Sequence, residues 1–334
     1  MKIAVRADGD ADIGTGHLSR CRAIADELLK KQHNVCFFSR KESIVWLKQY
    51  DLPFTELPYV ESEEIETTVF VEKAIQWGAD WALVDSYFLG VESFKSIHAA
   101  MHSIVIDDYA RIPYIADILL NANLYAPGLD YSDASVDKYL LGGKYAILRD
   151  EFRQITPYKF RKRVHRILIT MGGSDINDYT PFVLSALRDV QVDEMLVIVG
   201  ACAGCIDEVY TIASECKSPV RVLQAPENIA ELLASCDIAV SAAGSTVYEL
   251  CALGVPSVLI EQADNQHLIS DYFARLGPFI ALGKYCEITS VELSKTVEAL
   301  IQDEELRYVI NRAAIDLVAM HGVSNIVDNL NMNQ

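Results

Sequence analysis

Short aliphatic and β-branched runs alternate with amphipathic segments along almost the whole chain, a pattern that predicts parallel sheets covered by helices on both faces. In the front half, residues 2–6, 34–39, 81–85, 103–107 and 117–121 read as strands, and residues 18–31, 64–77 and 91–101 as helices. Residues 123–137 carry Pro127, Gly128 and little periodicity, and read as a surface loop. A second series of apolar runs follows at 166–170, 195–200, 220–223, 237–241, 256–260 and 279–282, and the chain from Val291 onward is largely helical. Between the two series, residues 151–166 mix Pro157 with Arg153, Lys159, Arg161, Lys162 and Arg163 and have no clean period, as a linker would. The expected architecture is α/β: two doubly wound, Rossmann-like domains, 1–152 and 166–334, joined by 153–165 and facing one another across a cleft, with a helical C-terminal tail. Ligands of such sheets bind beyond the carboxyl ends of the strands.

Composition narrows the functions open to this fold. The 334 residues, 51% of them hydrophobic, suffice for two cores. A formal net charge of -18 does not supply the basic face that nucleic acid or an anionic membrane surface requires. It also leaves any phosphate group to backbone N–H donors and helix ends. The longest weakly charged stretch, 238–260, is interrupted by Gly244, Glu249, Gly254 and Pro256, which suits strand, helix and strand better than a membrane helix. No basic-then-apolar leader opens the chain, since Asp8, Asp10 and Asp12 follow the first apolar run; a soluble, cytoplasmic protein is expected. Eight cysteines in this length do not make a disulfide scaffold, and Cys202-Ala-Gly-Cys205 has no second pair to complete a zinc site. His98 and His102, four apart on an expected helix, have no evident third ligand and read as a solvated face. Neither metal nor cofactor is expected.

The candidate chemistry lies in glycine-bracketed turns that directly follow strands. In Ile13-Gly14-Thr15-Gly16-His17, small residues let a substrate approach the backbone, and His17 falls in the first turn of a helix whose positive end favours anions. A histidine so placed suits general-base work. The back half has Met171-Gly172-Gly173-Ser174-Asp175 and Ser241-Ala242-Ala243-Gly244-Ser245-Thr246, whose successive N–H groups suit a diphosphate. Neither turn is a P-loop, and neither is GxGxxG, so a nicotinamide cofactor is not indicated.

Other polar groups share these rims. Asp85-Ser86-Tyr87 and Asp107-Asp108-Tyr109 follow strands on the rim of His17; they are turn formers or substrate contacts. Asn265-Gln266-His267 belongs to the rim of Gly244, where an amide pair binds sugar hydroxyls or acetamido groups, or caps a helix. Thr246-x-x-Glu249 is the pattern of a capping box, while Glu249 also suits two ribose hydroxyls.

Arg6-Ala-Asp8, Ile13-Gly-Thr-Gly-His17, Arg20-Cys21, Asp85-Ser-Tyr87, Val105-Ile-Asp107-Asp108, Leu141-Gly142, Gly172-Gly-Ser-Asp175 and Ala243-Gly-Ser-Thr246 with Glu249 resemble the UDP-sugar hydrolases of pseudaminic acid biosynthesis. Those enzymes release 2,4-diacetamido-2,4,6-trideoxy-altrose from its UDP-linked precursor. The resemblance runs over most of the chain as far as Gly277, and its back motif is shared with MurG-like glycosyltransferases. It implies a GT-B fold, with His17 as catalytic base and Tyr87 and Asn265 at the sugar. It further implies that Gly244, Ser245 and Thr246 hold the diphosphate and Glu249 the ribose. Gly14, Gly16, Asp85, Gly173, Ser174 and Gln266 complete the expected substrate contacts.

The expected reaction is inverting attack of water at the anomeric carbon of a UDP-sugar, with no nucleic-acid partner and no stable membrane association. Two alternatives stand beside it: a GT-B glycosyltransferase with the same UDP-amino-sugar donor site, and a non-catalytic nucleotide-sugar binding protein.

Overall fold

Every residue of Trp81–Asp85, Ile238–Ala242 and Ser257–Glu261 is buried. That is the condition of a strand inside a parallel sheet with helices on both faces, and it explains why these runs lack polar alternation. The computed structural model describes residues 1–334 other than 10–14, 59, 61, 174, 176, 201, 202 and 332–334. The chain divides into two units, Met1–Arg149 with His321–Gln334, and Asp150–Met320.

The first unit is built on strands β1 (Lys2–Ala7), β2 (Asn34–Arg40), β3 (Phe54–Leu57), β4 (Trp81–Asp85), β5 (His102–Ile106), β6 (Ile115–Asn121) and β7 (Ser135–Leu141). They pair in parallel in the order β3-β2-β1-β4-β5-β6-β7. Successive side chains alternate between the two faces. Ile3, Val5 and Phe37 enter one core with Leu18, Ile24 and Leu28, whereas Ala4 and Phe38 enter the other with Phe70 and Phe94. Because β2 and β4 flank β1 on opposite sides, the chain reverses its direction of travel across the sheet there. In parallel sheets such a reversal is the usual place for a ligand, at the carboxyl ends of the strands.

The second unit repeats the plan with β8 (Arg166–Thr170), β9 (Glu194–Val199), β10 (Val220–Gln224), β11 (Ile238–Ala242), β12 (Ser257–Glu261) and β13 (Ile280–Lys284). These too are parallel, in the order β10-β9-β8-β11-β12-β13, with the switch point between β8 and β11.

Three boundaries differ from the sequence-based expectation. The terminal helix Gly322–Asn331 belongs to the first unit, although the domain 166–334 was expected to include it. Val323, Ile326, Val327 and Leu330, one stripe at helical spacing, join the core of Ile3 and Leu28. Burial of such side chains contributes ~1.5–3 kcal/mol each. Gly322 is needed for this return, since a Cβ there would lie 2.2 Å from the Ala146 carbonyl oxygen. Next, the expected linker 153–165 is anchored to the second unit: Tyr158 Oη donates to Asp237 Oδ1 at 3.0 Å, and Asp237 Oδ2 accepts from the His165 amide at 2.7 Å. Last, the loop expected at 123–137 ends early. Its final residues start β7, an edge strand whose half-exposed alternation is too weak to stand out in the sequence.

Candidate functional site

The carboxyl ends of β1, β4 and β5 are neighbours, so the segments that follow them meet on one rim. After β1 the chain re-enters the described residues at Thr15, which precedes helix Gly16–Lys30 without a side-chain cap bond. That helix aims three side chains, spaced i, i+3 and i+4 on one face, at the last residue of β4. His17 Nδ1 lies 2.6 Å from Asp85 Oδ1. Arg20 donates to both Asp85 oxygens, through Nε and, at 2.6 Å, through Nη2. The Cys21 thiol donates to Asp85 Oδ2 at 3.7 Å.

Asp85 is 1% exposed. Burial alone would raise its carboxyl, but the Arg20 guanidinium, helped by the His17 contact, outweighs it and holds Asp85 well below the usual carboxylate range. An ionised Asp85 only accepts, so it takes the Nδ1–H of His17; in the neutral tautomer that this bond selects, Nε2 carries the lone pair. The Arg20 Nη2 atom, 3.3 Å from Nδ1, is then a neighbour of that bond and no donor to it. Asp85 thus stands beneath the imidazole, where the sequence suggested a rim contact.

Asp108, after β5, accepts from Arg20 Nη1 at 2.8 Å, from Asn123 Nδ2 at 2.7 Å and from the Tyr87 hydroxyl. Burial and the Asp108 carboxylate push the Tyr87 phenol far above its ordinary value, which keeps it a donor. Its ring packs edge-on against His17, centroids 4.5 Å apart. Asp107 points the other way: Tyr114 and Tyr131 hydroxyls and the Ala110 amide occupy its oxygens, so its role is to shape the turn. Gly16 has open space where a Cβ would be, so packing within the described protein does not demand glycine there. Gly14 lies outside the described residues, as does Ser174.

Beside this group runs a second charged cluster that the sequence did not reveal. Arg6 pairs with Asp8 and, sixty residues on, with Glu66; Arg40 at the end of β2 also donates to Glu66 Oε2, at 2.6 Å. The motif Arg6-Ala-Asp8 marked one half of it, but nothing local marks Glu66.

In the second unit the rim is made of small residues and amides. Gly173 sits so close to Gly200 that a Cβ on Gly200 would fall 1.9 Å from the Gly173 carbonyl oxygen. Asp175 is buried and accepts from the Tyr179 and Thr180 amides at 2.9 and 3.0 Å, which caps the next helix. After β11, Gly244 and Ser245 lead into helix Thr246–Leu253, and Ser245 makes no side-chain cap bond. Thr246 is the first helical residue, so the expected capping box with Thr246 as cap does not form; Glu249 is buried and engaged within the protein.

After β12, Gln266 Oε1 accepts from the Gln262 amide at 2.9 Å, and Gln266 Nε2 stands 3.6 Å from the Cβ position of Gly244. Asn265 is exposed beside it. Gln262, 6% exposed, buries both side-chain polar atoms with no partner among the described residues, as does Glu261 with its Oε1. Each such orphan costs ~1–3 kcal/mol, which points to a polar ligand group at this spot. Sequence reasoning missed this pair; its signal was two adjacent polar residues closing an apolar strand.

The remaining candidates are structural. His98 and His102 share Asp117, Nδ1 to carboxylate at 3.1 and 2.7 Å, at the amino ends of β5 and β6; His102 opens β5 instead of ending a helix. Among the described residues no group of three or more His, Cys, Asp or Glu side chains is arranged to hold a metal ion. The Cys205 thiol donates to Asp175 at 3.6 Å, while Cys202 lies outside the described residues. Among the described residues no helix is long and apolar enough to cross a membrane.

Structural likeness places this geometry in context. MurG of Acinetobacter baumannii matches with a TM-score of 0.74 over 98% of this chain and 99% of its own, at 14% identity. Glycosyltransferase VinC in complex with dTDP matches with a TM-score of 0.66 over 100% of both chains, at 13% identity. The fold is GT-B. No family model matches the chain. Its sequence relatives are distant homologues. The chain is 26% identical over 293 residues to an uncharacterized protein of Methanocaldococcus jannaschii, covering 83% of this chain but only 59% of that relative. Spore coat polysaccharide biosynthesis protein SpsG of Bacillus subtilis is 22% identical over 98% of this chain and 96% of its own. The UDP-2,4-diacetamido-2,4,6-trideoxy-beta-L-altropyranose hydrolase of Campylobacter jejuni is 26% identical over 83% of this chain and 97% of its own.

Proposed function

We propose that this protein hydrolyses a UDP-linked diacetamido-trideoxy hexose to UDP and the free sugar. The observation that carries the reading is the His17–Asp85 pair at the switch point of the first sheet, in a chain distantly homologous to a hydrolase of that substrate class. Water oxygen bonds to the anomeric carbon as the bond from that carbon to the diphosphate oxygen breaks, and the electron pair leaves with UDP. Nε2 of His17 takes the water proton, and Asp85 stabilises the imidazolium that forms. Attack opposite the leaving group inverts the anomeric centre. Tyr87 and the open position at Gly16 serve the sugar side.

Gly244, Ser245 and Thr246 offer N–H groups to the diphosphate, and the positive end of helix Thr246–Leu253 spreads the departing charge. Gly173, after β8, lines the same rim. Glu249 takes the ribose hydroxyls, and Gln262, Asn265 and Gln266 take hydroxyl and acetamido groups of the sugar. His17→Asn should lower turnover by about 10²–10⁴-fold while calorimetry finds UDP affinity intact. Loss of UDP binding in that variant would make His17 a nucleotide contact and end the mechanism.

The likeness to glycosyltransferases favours a second reading, transfer of the same sugar to an acceptor hydroxyl. Incubation with the UDP-sugar in labelled water and no acceptor separates the two. Stoichiometric free sugar carrying the label supports hydrolysis, and negligible release supports transfer. Label in UDP would mean phosphorus–oxygen cleavage and refute attack at carbon.

A further inference from the structure

We propose that Arg20 is a positioning residue for this site: its guanidinium fork spans Asp85 and Asp108, and so fixes with one side chain both the carboxylate that orients His17 and the carboxylate that holds the Tyr87 hydroxyl. The proposal rests on the reading of His17 as base and adds the device that sets its geometry.

Nε and Nη2 engage the two oxygens of Asp85, while Nη1 reaches Asp108 Oδ1 at 3.0 Å and Oδ2 at 2.8 Å. Only a planar fork with separate donors makes these contacts together; lysine carries the charge but not the geometry. The two carboxylates follow different strands, β4 and β5, so Arg20 ties two independent turns to helix Gly16–Lys30.

Stability alone explains this arrangement poorly. Buried ion pairs are often no better than apolar residues of the same volume, because desolvation offsets the attraction. What the cluster gains is a fixed imidazole. Asp85 also meets His17 and the Cys21 thiol, and Arg20 also meets His17 and Tyr87, with the Tyr109 and Tyr125 phenols nearby; these are the titratable and charged groups facing the pair among the described residues. Arg20 is the cation in that set. Its loss leaves Asp85 free to turn away from Nδ1, so the imidazole no longer has one fixed orientation.

The test compares wild type with Arg20→Met, Arg20→Lys and Asp108→Asn, using UDP-2,4-diacetamido-2,4,6-trideoxy-beta-L-altropyranose as substrate. Steady-state UDP release gives kcat and KM, and circular dichroism checks folding. Arg20→Met should lower kcat by about 100-fold with KM within about threefold. Arg20→Lys should recover no more than about a tenth of the lost activity, and it replaces Arg20→Met if that variant does not fold. Asp108→Asn should cost about tenfold or less, since Asp85 keeps its bidentate partner.

An unchanged kcat in Arg20→Met, or full rescue by lysine, would overturn the proposal. Nitrogen-15 NMR of His17 supplies a readout that needs no turnover. A single Nδ1–H tautomer in wild type and a mixture in Arg20→Lys support the clamp, and identical spectra refute it. If wild type releases no UDP, the hydrolase reading fails and the spectra alone decide the role of Arg20.

Discussion

The two switch-point rims satisfy their polar groups in opposite ways. On the first, Asp85 is met by His17, Arg20 and Cys21, and Asp108 by Arg20, Tyr87 and Asn123. On the second, Gln262 and Glu261 keep buried polar atoms without partners among the described residues, and the Cβ position of Gly244 meets only the Gln266 amide, at 3.6 Å. Under the proposed function the contrast has a physical reason: a base needs its orientation set before substrate arrives, so its partners come from the protein. A surface to be completed by ligand hydroxyls and phosphate oxygens would keep donors and acceptors free, at a cost in stability of the unliganded protein.

If that contrast is real, substitutions on the two rims should separate turnover from affinity. The largest effect belongs to Asp85→Asn: an asparagine amide can present N–H to Nδ1 and favour the wrong tautomer. Steady-state assays should find kcat lower by about 10²–10⁴-fold, with UDP affinity unchanged by calorimetry. Gly244→Ala comes next. The added methyl would touch only Gln266 Nε2 at ordinary contact distance, so thermal unfolding should hardly change, while UDP affinity falls by about tenfold, ~1.4 kcal/mol. An unaltered dissociation constant would remove the diphosphate from this turn. The smallest effect sharpens the contrast most. Gln262→Met replaces an orphaned amide with an apolar chain of similar length, and should stabilise the protein by ~1 kcal/mol in urea titration while raising KM several-fold. A destabilised Gln262→Met protein would mean that the amide serves the fold and not a ligand.

Much of the fold was legible in the sequence because its cause is local. Buried parallel strands must be continuous apolar runs, and crossover helices must show a stripe at helical spacing; both marks survive in one dimension. Edge strands β3 and β7 escaped because partial exposure weakens the pattern. At the candidate site, His17 and the glycine turns were legible from their position after apolar runs. The partners of His17 were less so. Asp85 looked like a rim residue, Arg20 looked like part of a motif, and Glu66 carried no mark at all.

By itself, then, the chain's order of residues determined which segments are the buried strands, which turns carry glycine, and which histidine opens a helix after a strand. Tertiary structure decided that Asp85 lies under that histidine, that Arg20 reaches two carboxylates from separate strands, and that Val323 to Leu330 return to the first core. The physical reason is range. Periodicity acts over a few residues, whereas the meeting of a helix with two particular strand ends depends on strand order, which only the folded sheet supplies.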